Sequence, residues 1–221
     1  MIDIIINYIY KFDECCKFSK FNTNISFKWA LLLPSGNLPL NIFEPRYLDM
    51  IDYAMKNEKM IGMIQEKEDS RKTNNLYTIG CLGKITQYNE TNDDRYLINL
   101  TGIIRFNYVS EKKTELKFRK LNVDYSKFEN DLLQKYNTSF DKKYFLNEVK
   151  NYLLRNEIEV DWEIINKVNE TILITSLSSI CPFSNSEKQM LLECKNADEI
   201  PNAMLNLFKM NDDSLTSQNI N

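Results

Sequence analysis

The sequence predicts an α+β protein: a compact, mostly antiparallel β unit interrupted by one helix, then a small helical bundle. Three observations predict it. Apolar residues alternate with period two through most of residues 25–126, then recur at three and four over residues 127–210. All five glycines lie before residue 126. The stretch LPLNIFEPRYLDM, Leu38 to Met50, passes from strand period to helix period with no glycine loop between them.

Taken in order, residues 1–24 (MIDIIINYIYKFDECCKFSKFNTN) are apolar, then charged. They lack a basic region ahead of the apolar run and a small-residue cleavage site, so they read as a leader without regular order rather than a signal peptide. WALLLP, Trp29 to Pro34, is a short buried strand closed by the turn Pro34-Ser35-Gly36-Asn37. Leu38 to Phe43 is extended. A helix follows from Pro45 to about Asn57, with Tyr47, Ile51, Ala54 and Met55 on its apolar side, then a strand from Met60 to Gln65 and a polar loop, EKEDSRKTNN.

The clearest sheet signal lies between Leu76 and Val109. Ile79, Cys81, Gly83 and Ile85 share one parity; after the turn NETNDD, so do Tyr96, Ile98, Leu100, Gly102, Ile104 and Phe106. Gly102 stands at an inward position, where a missing side chain permits a bend or a close backbone approach. A charged hairpin, SEKKTELKFRK, leads to a last strand through Leu121, Val123 and Tyr125.

Beyond it, Tyr144, Val149, Tyr152 and Leu153 form a helical stripe, Asp161-Trp162 opens a second segment, and Ile172, Leu173, Leu177 and Ile180 extend a third. Ser184 and Glu187 make an S-x-x-E capping box, and Asn196 with Glu199 suggests another cap. Residues 211–221 read as a disordered polar tail.

Composition narrows the chemistry. The chain has 221 residues, a net charge of −3 and no histidine, which removes His-based triads and imidazole metal sites. Its five cysteines include no CxxC, so no metal site and no disulfide framework is suggested; reduced thiols in a cytoplasmic protein fit better. No apolar run approaches the roughly 18 residues of a membrane-spanning helix, and no cofactor motif is present.

LPLNIFEPRYLDMIDYAM, IGMIQ and YTIGCLGKITQYNETNDDRYLINLTGIIRF, followed by Asp161-Trp162 and SLSSICPFSNSEKQMLLE, resemble in this order the N-terminal substrate-binding domain of Lon-type ATP-dependent proteases. The likeness is greatest to small bacterial proteins made of that domain alone, and it covers about residues 25–210. It implies a curved antiparallel β pseudo-barrel of PUA-like type with an inserted helix, then an α-helical subdomain. It also implies a non-catalytic module that engages protein substrates. One departure stands at the start: family members carry a proline-containing apolar stretch where this chain has FNTNISFKW, in which only Ile25 and Phe27 keep the alternation.

The sequence contains no G-x-x-x-x-G-K-[ST] phosphate loop and nothing resembling the family's serine–lysine protease domain. Ser186 and Lys188 fall on a predicted surface helix, the wrong setting for a dyad that needs a buried lysine. The expectation is therefore no enzymatic activity. The expected partners are unfolded or extended polypeptides and a full-length ATP-dependent protease, with no nucleic acid and no membrane.

Candidate contact residues are Glu44, Arg46 and Tyr47 at the strand-to-helix corner, and Leu97 and Ile103 on the face of their strand opposite the inward stripe. The architectural reading of the corner is the stronger one. Pro45 suits the first helical position and Glu44 sits at the positive end of the helix dipole. The alternative function is an RNA-binding or small-ligand PUA-like domain, with Lys112, Lys113, Lys117, Arg119 and Lys120 as the nucleic-acid patch. Glu111 and Glu115 interleave with those cations, and an edge strand decorated with lysines explains them more simply.

Overall fold

The computed structural model describes residues 4–7, 30–67, 76–133 and 140–218. The expected alternation at Ile25 and Phe27, the start of the WALLLP segment at Trp29, most of the polar loop after Glu66 and residues 219–221 lie outside these.

Among the described residues six strands form one sheet: β1 (Ile4–Asn7), β2 (Asn37–Ile42), β3 (Met60–Met63), β4 (Ile79–Glu90), β5 (Tyr96–Lys112) and β6 (Arg119–Asp124). Their order is β2-β5-β4-β3-β1-β6, and β6 pairs again with β5. Every pairing is antiparallel except β1 with β3, which is parallel. Within the stretch expected to be a leader, Ile4–Asn7 is thus a strand of the sheet.

β5 makes the sheet curve. Its first half pairs with β2, its second half with β6, and β4 runs along its other side. A strand can serve two neighbours at its two ends only if it bends, and the register shifts opposite Leu82/Gly83 and at Tyr108/Ser110 supply the bend. At the first, Leu82 faces Ile104 and Gly83 faces Gly102, so Ile103 is the extra residue of a bulge.

Gly102 fulfils its expectation through close approach. A Cβ there would lie 2.1 Å from the Leu33 carbonyl oxygen. Its N–H donates to Gly36 O at 2.8 Å and its carbonyl accepts from Ser35 N at 2.9 Å. The segment leading into that turn departs from expectation. Leu31, Leu32 and Leu33 are buried, yet residues 30–33 join no ladder. The Leu31 carbonyl instead accepts the Ser179 hydroxyl at 3.0 Å, so the segment is tied to a helix rather than to a strand.

Helix α1 (Pro45–Met55) follows β2 directly, with Glu44 at its extended N-cap and Pro45 in its first turn. It buries Tyr47, Met50, Ile51 and Ala54. The later helices are α2 (Lys142–Arg155), α3 (Trp162–Lys167), α4 (Glu170–Ile180), α5 (Asn185–Leu192) and α6 (Ile200–Gln218). Asp141, Asp161, Asn169 and Ser184 cap the first four through their side chains, and the Ser184/Glu187 capping box is complete.

Three expectations are corrected here. Tyr144 is exposed, and Phe145 takes its place in the α2 stripe with Val149, Tyr152 and Leu153. Asn196 makes no side-chain cap; Glu199 accepts from the Lys195 N–H, and a 3-10 turn (Ala197–Glu199) leads into α6. Where an unstructured tail was expected from residue 211, α6 continues to Gln218.

The two compositional halves share one core. Leu31, Leu33, Met50 and Ile51 belong to the same buried cluster as Phe145, Leu177, Phe183, Leu191 and Phe208. A smaller cluster under the far end of the sheet holds Ile64, Leu76, Leu82, Ile104, Phe106 and Leu121. The fold is α+β, as expected.

Candidate functional site

The strand-to-helix corner is built from three elements: the end of β2, the first turn of α1 and the tip of the β4–β5 hairpin. Arg46 Nη2 lies 2.9 Å from Glu44 Oε2, with side chains 41% and 30% exposed. The same guanidinium stands over the Tyr47 ring at 4.5 Å, and Tyr47 itself is buried in the core. So the corner has a fixed aromatic base and a half-open charged pair above it.

Across the hairpin, Tyr88 and Tyr96 pack at 5.1 Å between ring centroids. Both phenols are pushed above their ordinary range, first by burial; for Tyr96 the hydrogen-bonded Asp52 carboxylate on α1 adds to the effect. Arg95 lies over the Phe43 ring at 5.6 Å and pairs with Asp93 at 2.9 Å. Phe43 and Tyr88 are 40% and 37% exposed, so two aromatic faces meet solvent beside two half-open arginines. Such a surface can take apolar side chains by burial and hold a peptide backbone or carboxylate through guanidinium donors.

The other candidates fall elsewhere. Leu97 is half-buried opposite Asn41 and Asn89, while Ile103, the bulge residue, packs on the smaller core. Six residues apart on one strand, they are separated by about 20 Å and form no common patch.

The cations of the hairpin have partners of their own. Lys117 Nζ meets Asp49 Oδ2 at 2.8 Å. Arg119 forks onto Glu111, with Nε at 2.7 Å from Oε1. Lys120 is buried, donates to the Tyr53 hydroxyl at 2.6 Å and stands over that ring. Phe118 packs on Tyr53 beside it. Lys113 is exposed and Lys112 half-buried. Cations already committed to a carboxylate or a phenol make a poor phosphate track.

The burial of two further cations escaped the sequence reading. Arg105 donates to Asp131 from Nε at 2.9 Å and from Nη2 at 2.7 Å, with the side chains 6% and 1% exposed. It also donates to the carbonyls of Leu192 at 3.1 Å, Lys195 at 3.2 Å and Cys194. The Leu192 carbonyl is one that a helix leaves unpaired at its C-terminus, and the other two belong to the turn just beyond it. Arg105 thus binds the sheet to the end of α5.

Lys188 is the second, and here the surface-helix expectation is corrected. It is 4% exposed, its Nζ donates to Ser179 O at 2.9 Å, and burial pushes its pKa down to about 8. Ser186 is exposed and its Oγ meets Ser184 Oγ at 3.2 Å. Residues two apart lie on different sides of a helix, so the pair forms no dyad.

The comparisons with known proteins agree with this architecture. Residues 26–207 match the family described as the ATP-dependent protease La (LON) substrate-binding domain, and the chain belongs to that family. The Lon protease of Malacoplasma penetrans (strain HF-2) is 32% identical over 152 residues, 64% of this chain and 19% of that protein. Lon protease 2 of Myxococcus xanthus is 26% identical over 98 residues, 43% of this chain and 12% of that protein. The chain therefore spans less than a fifth of those relatives.

Two solved structures share the fold. The Lon N-terminal domain protein from Xanthomonas campestris superposes with a TM-score of 0.55 at 13% identity, covering 93% of this chain and 98% of that one. The N-terminal domain of Mycobacterium avium complex Lon protease does so with a TM-score of 0.55 at 15% identity, covering 94% and 98%.

Periodicity set Tyr96 on the inward stripe but missed Tyr88 and the aromatic pair the two form. Tyr88 and Tyr96 flank NETNDD, and in an antiparallel hairpin residues placed so meet on one face. Pairing the two strands across that turn would have found them. Arg105 left a fainter trace, as a lone cation inside the apolar run GIIRF.

Proposed function

We propose that this chain is a non-catalytic module that captures extended polypeptide segments and presents them to an ATP-dependent protease. The match of residues 26–207 to the Lon substrate-binding domain family carries this reading. The contact surface is the corner: Phe43, Tyr88 and Tyr96 take apolar side chains, Glu44 and Arg46 engage the client's backbone and charges, and Leu97 extends the surface on the other face of the hairpin. Unfolded chains expose apolar residues that folded proteins bury, so an aromatic surface flanked by arginines separates the two states of a client.

The test is binding of fluorescent reduced, carboxymethylated lactalbumin, compared with the native protein, before and after nuclease treatment. The expected result is nuclease-insensitive binding of the unfolded form alone, weakened about tenfold by Phe43→Ala with Tyr88→Ala, since truncating two buried aromatic contacts costs on the order of 1–2 kcal/mol or more. Failure to bind the unfolded form overturns the proposal. So does binding of RNA with steep salt dependence that is lost on replacing Lys112 and Lys113.

A further inference from the structure

The position of β1 in the sheet is unusual. It lies between β3 and β6 and is paired on both sides: Ile6 with Gly62 and Asn7 with Met63 in parallel, and Ile4, Ile5 and Ile6 with Leu121, Lys120 and Arg119 in antiparallel register. Helix α1 packs against it as well. Yet the family match begins at residue 26, so an interior position of the sheet is filled from outside the matched range. Only residues 8–29 link this strand covalently to the next described part of the chain.

The walls of that position select for a particular occupant. Leu121, opposite Ile4, belongs to the smaller core, and Met63, opposite Asn7, to the larger one. Lys120, opposite Ile5, is buried against Tyr53. A strand between two buried layers reads as a continuous apolar run rather than an alternation, and Ile4-Ile5-Ile6 is such a run. Gly62 adds room beside Ile6. Backbone pairing on both edges supplies affinity without demanding one sequence. Four residues in only a few register pairs are a short anchor, since each ladder hydrogen bond contributes about 0.5–1.5 kcal/mol net.

We propose that the gap between β3 and β6 is a strand-acceptor site. It takes an extended client segment with three consecutive branched apolar residues, running parallel to β3 and antiparallel to β6. Ile4–Asn7 is the resident strand that the client displaces. This rests on the polypeptide-binding reading above and assigns the place where the client backbone enters. The resident strand then sets a threshold: a segment that pairs less well than Ile4–Asn7 is excluded.

The test uses the full chain and a fluorescein-labelled synthetic peptide of residues 1–10. Proline at position 5 removes a ladder donor and ejects the resident strand while leaving both walls intact. The Ile5→Pro chain is expected to bind the peptide at least about tenfold more tightly than the unmodified chain, whose apparent affinity is reduced by the small fraction of open sites. A peptide with proline in place of its own Ile5 should bind neither. Equal binding by the two chains, or binding of the proline peptide, overturns the proposal.

Reduced, carboxymethylated lactalbumin separates the two readings. If both chains bind it while the labelled peptide ignores Ile5→Pro, the strand site falls and the polypeptide-binding function stands; if neither chain binds it, both fall. Should Ile5→Pro fail to fold, the unmodified chain answers alone. Excess unlabelled peptide should shift the amide resonances of the displaced Ile4–Asn7 strand, and unchanged resonances there overturn the site. A concentration-dependent dimer that Ile5→Pro dissolves and the peptide does not perturb assigns the gap to a second copy, and also overturns it.

Discussion

Two arginine–carboxylate pairs, Arg105 with Asp131 and Arg46 with Glu44, have nearly the same closest approach, 2.7 and 2.9 Å. Their surroundings differ. The first is sealed between the sheet and α5, with the carbonyls of Leu192, Cys194 and Lys195 at and just past the helix end completing the guanidinium's shell. The second is half open to water above the buried Tyr47 ring. The charges are alike, so solvent decides what each can do. A sealed pair cannot be broken without stranding a charge in low dielectric, and it fixes one arrangement of sheet and helices. An open pair contributes little to stability and stays available for exchange with a ligand.

The largest effect should come from breaking the sealed pair. Arg105→Ala is expected to destabilise the fold by about 3–5 kcal/mol, because Asp131 and the carbonyls of Leu192, Cys194 and Lys195 lose their donor together. The urea midpoint measures this, and an unchanged midpoint would contradict the junction's role. Arg105→Met combined with Asp131→Leu sharpens the point. Recovery of most of the loss would show that the pair serves to select one packing rather than to add net stability.

Next in size is the backbone seam above that junction. Gly102→Ala places a carbon 2.1 Å from the Leu33 carbonyl, an overlap that only backbone movement relieves. The cost should be about 1–3 kcal/mol, read as a lower melting temperature, together with faster amide exchange at Ser35 and Gly102. A neutral substitution would mean that the 33–36 turn is not anchored to β5.

The seam also shows what the sequence could disclose. Gly102 was legible because an inward glycine in an eleven-residue alternation demands a neighbour, although nothing named Leu33 as that neighbour. The corner's strand-to-helix switch was legible from Pro45 and Glu44, whose preferences are local. Burial of Lys188 was not legible: the capping box at Ser184 fixes where α5 begins, while the side that faces the core depends on α4 and α6. Tyr144 and Phe145 failed for the same reason, since adjacent residues differ by about 100° around a helix and either could have headed the stripe. Arg105 and Asp131 are 26 residues apart in sequence and belong to different elements, so no local pattern joins them. The strand at Ile4–Asn7 was hidden by its context. A three-isoleucine run has no periodicity to distinguish a strand from a leader.

Lys188 gives a third case, a sealed cation facing a carbonyl with burial as its main perturbation. Its pKa falls from 10.5 to about 8 on folding. Below about 8 both folded and unfolded chains hold the charge, and the folded state bears the whole desolvation cost. Between about 8 and 10.5 the unfolded chain keeps a proton that the folded chain has lost, so this group's contribution rises with pH; above that range the cost is gone. Cys181, raised to about 12, contributes the opposite slope, because a thiol held protonated by folding loses that preference as alkali ionises the unfolded chain. The informative quantity is therefore the difference between Lys188→Met and the parent chain. The variant should be more stable by about 1–2 kcal/mol near neutrality. That gap should close between pH 8 and 10.5 in paired denaturation curves. A gap independent of pH would mean that the lysine is solvated in the folded state.

The smallest stability effect should fall on the corner, and there the contrast between the two arginines is most exposed to failure. Arg46→Gln removes a half-exposed charge whose partner keeps its access to water. The expected loss is roughly 0–1 kcal/mol and should vanish at high salt. Binding should respond where stability does not. If the guanidinium over Tyr47 engages client carbonyls, Arg46→Gln weakens capture of carboxymethylated lactalbumin severalfold at an unchanged melting temperature. Arg46→Lys should not restore it, because an ammonium cannot reproduce the planar fork. A large stability loss with normal binding would place Arg46 beside Arg105 as a structural clamp. The corner would then be architecture throughout, and the client's side chains would have to be met by the aromatics of the hairpin alone.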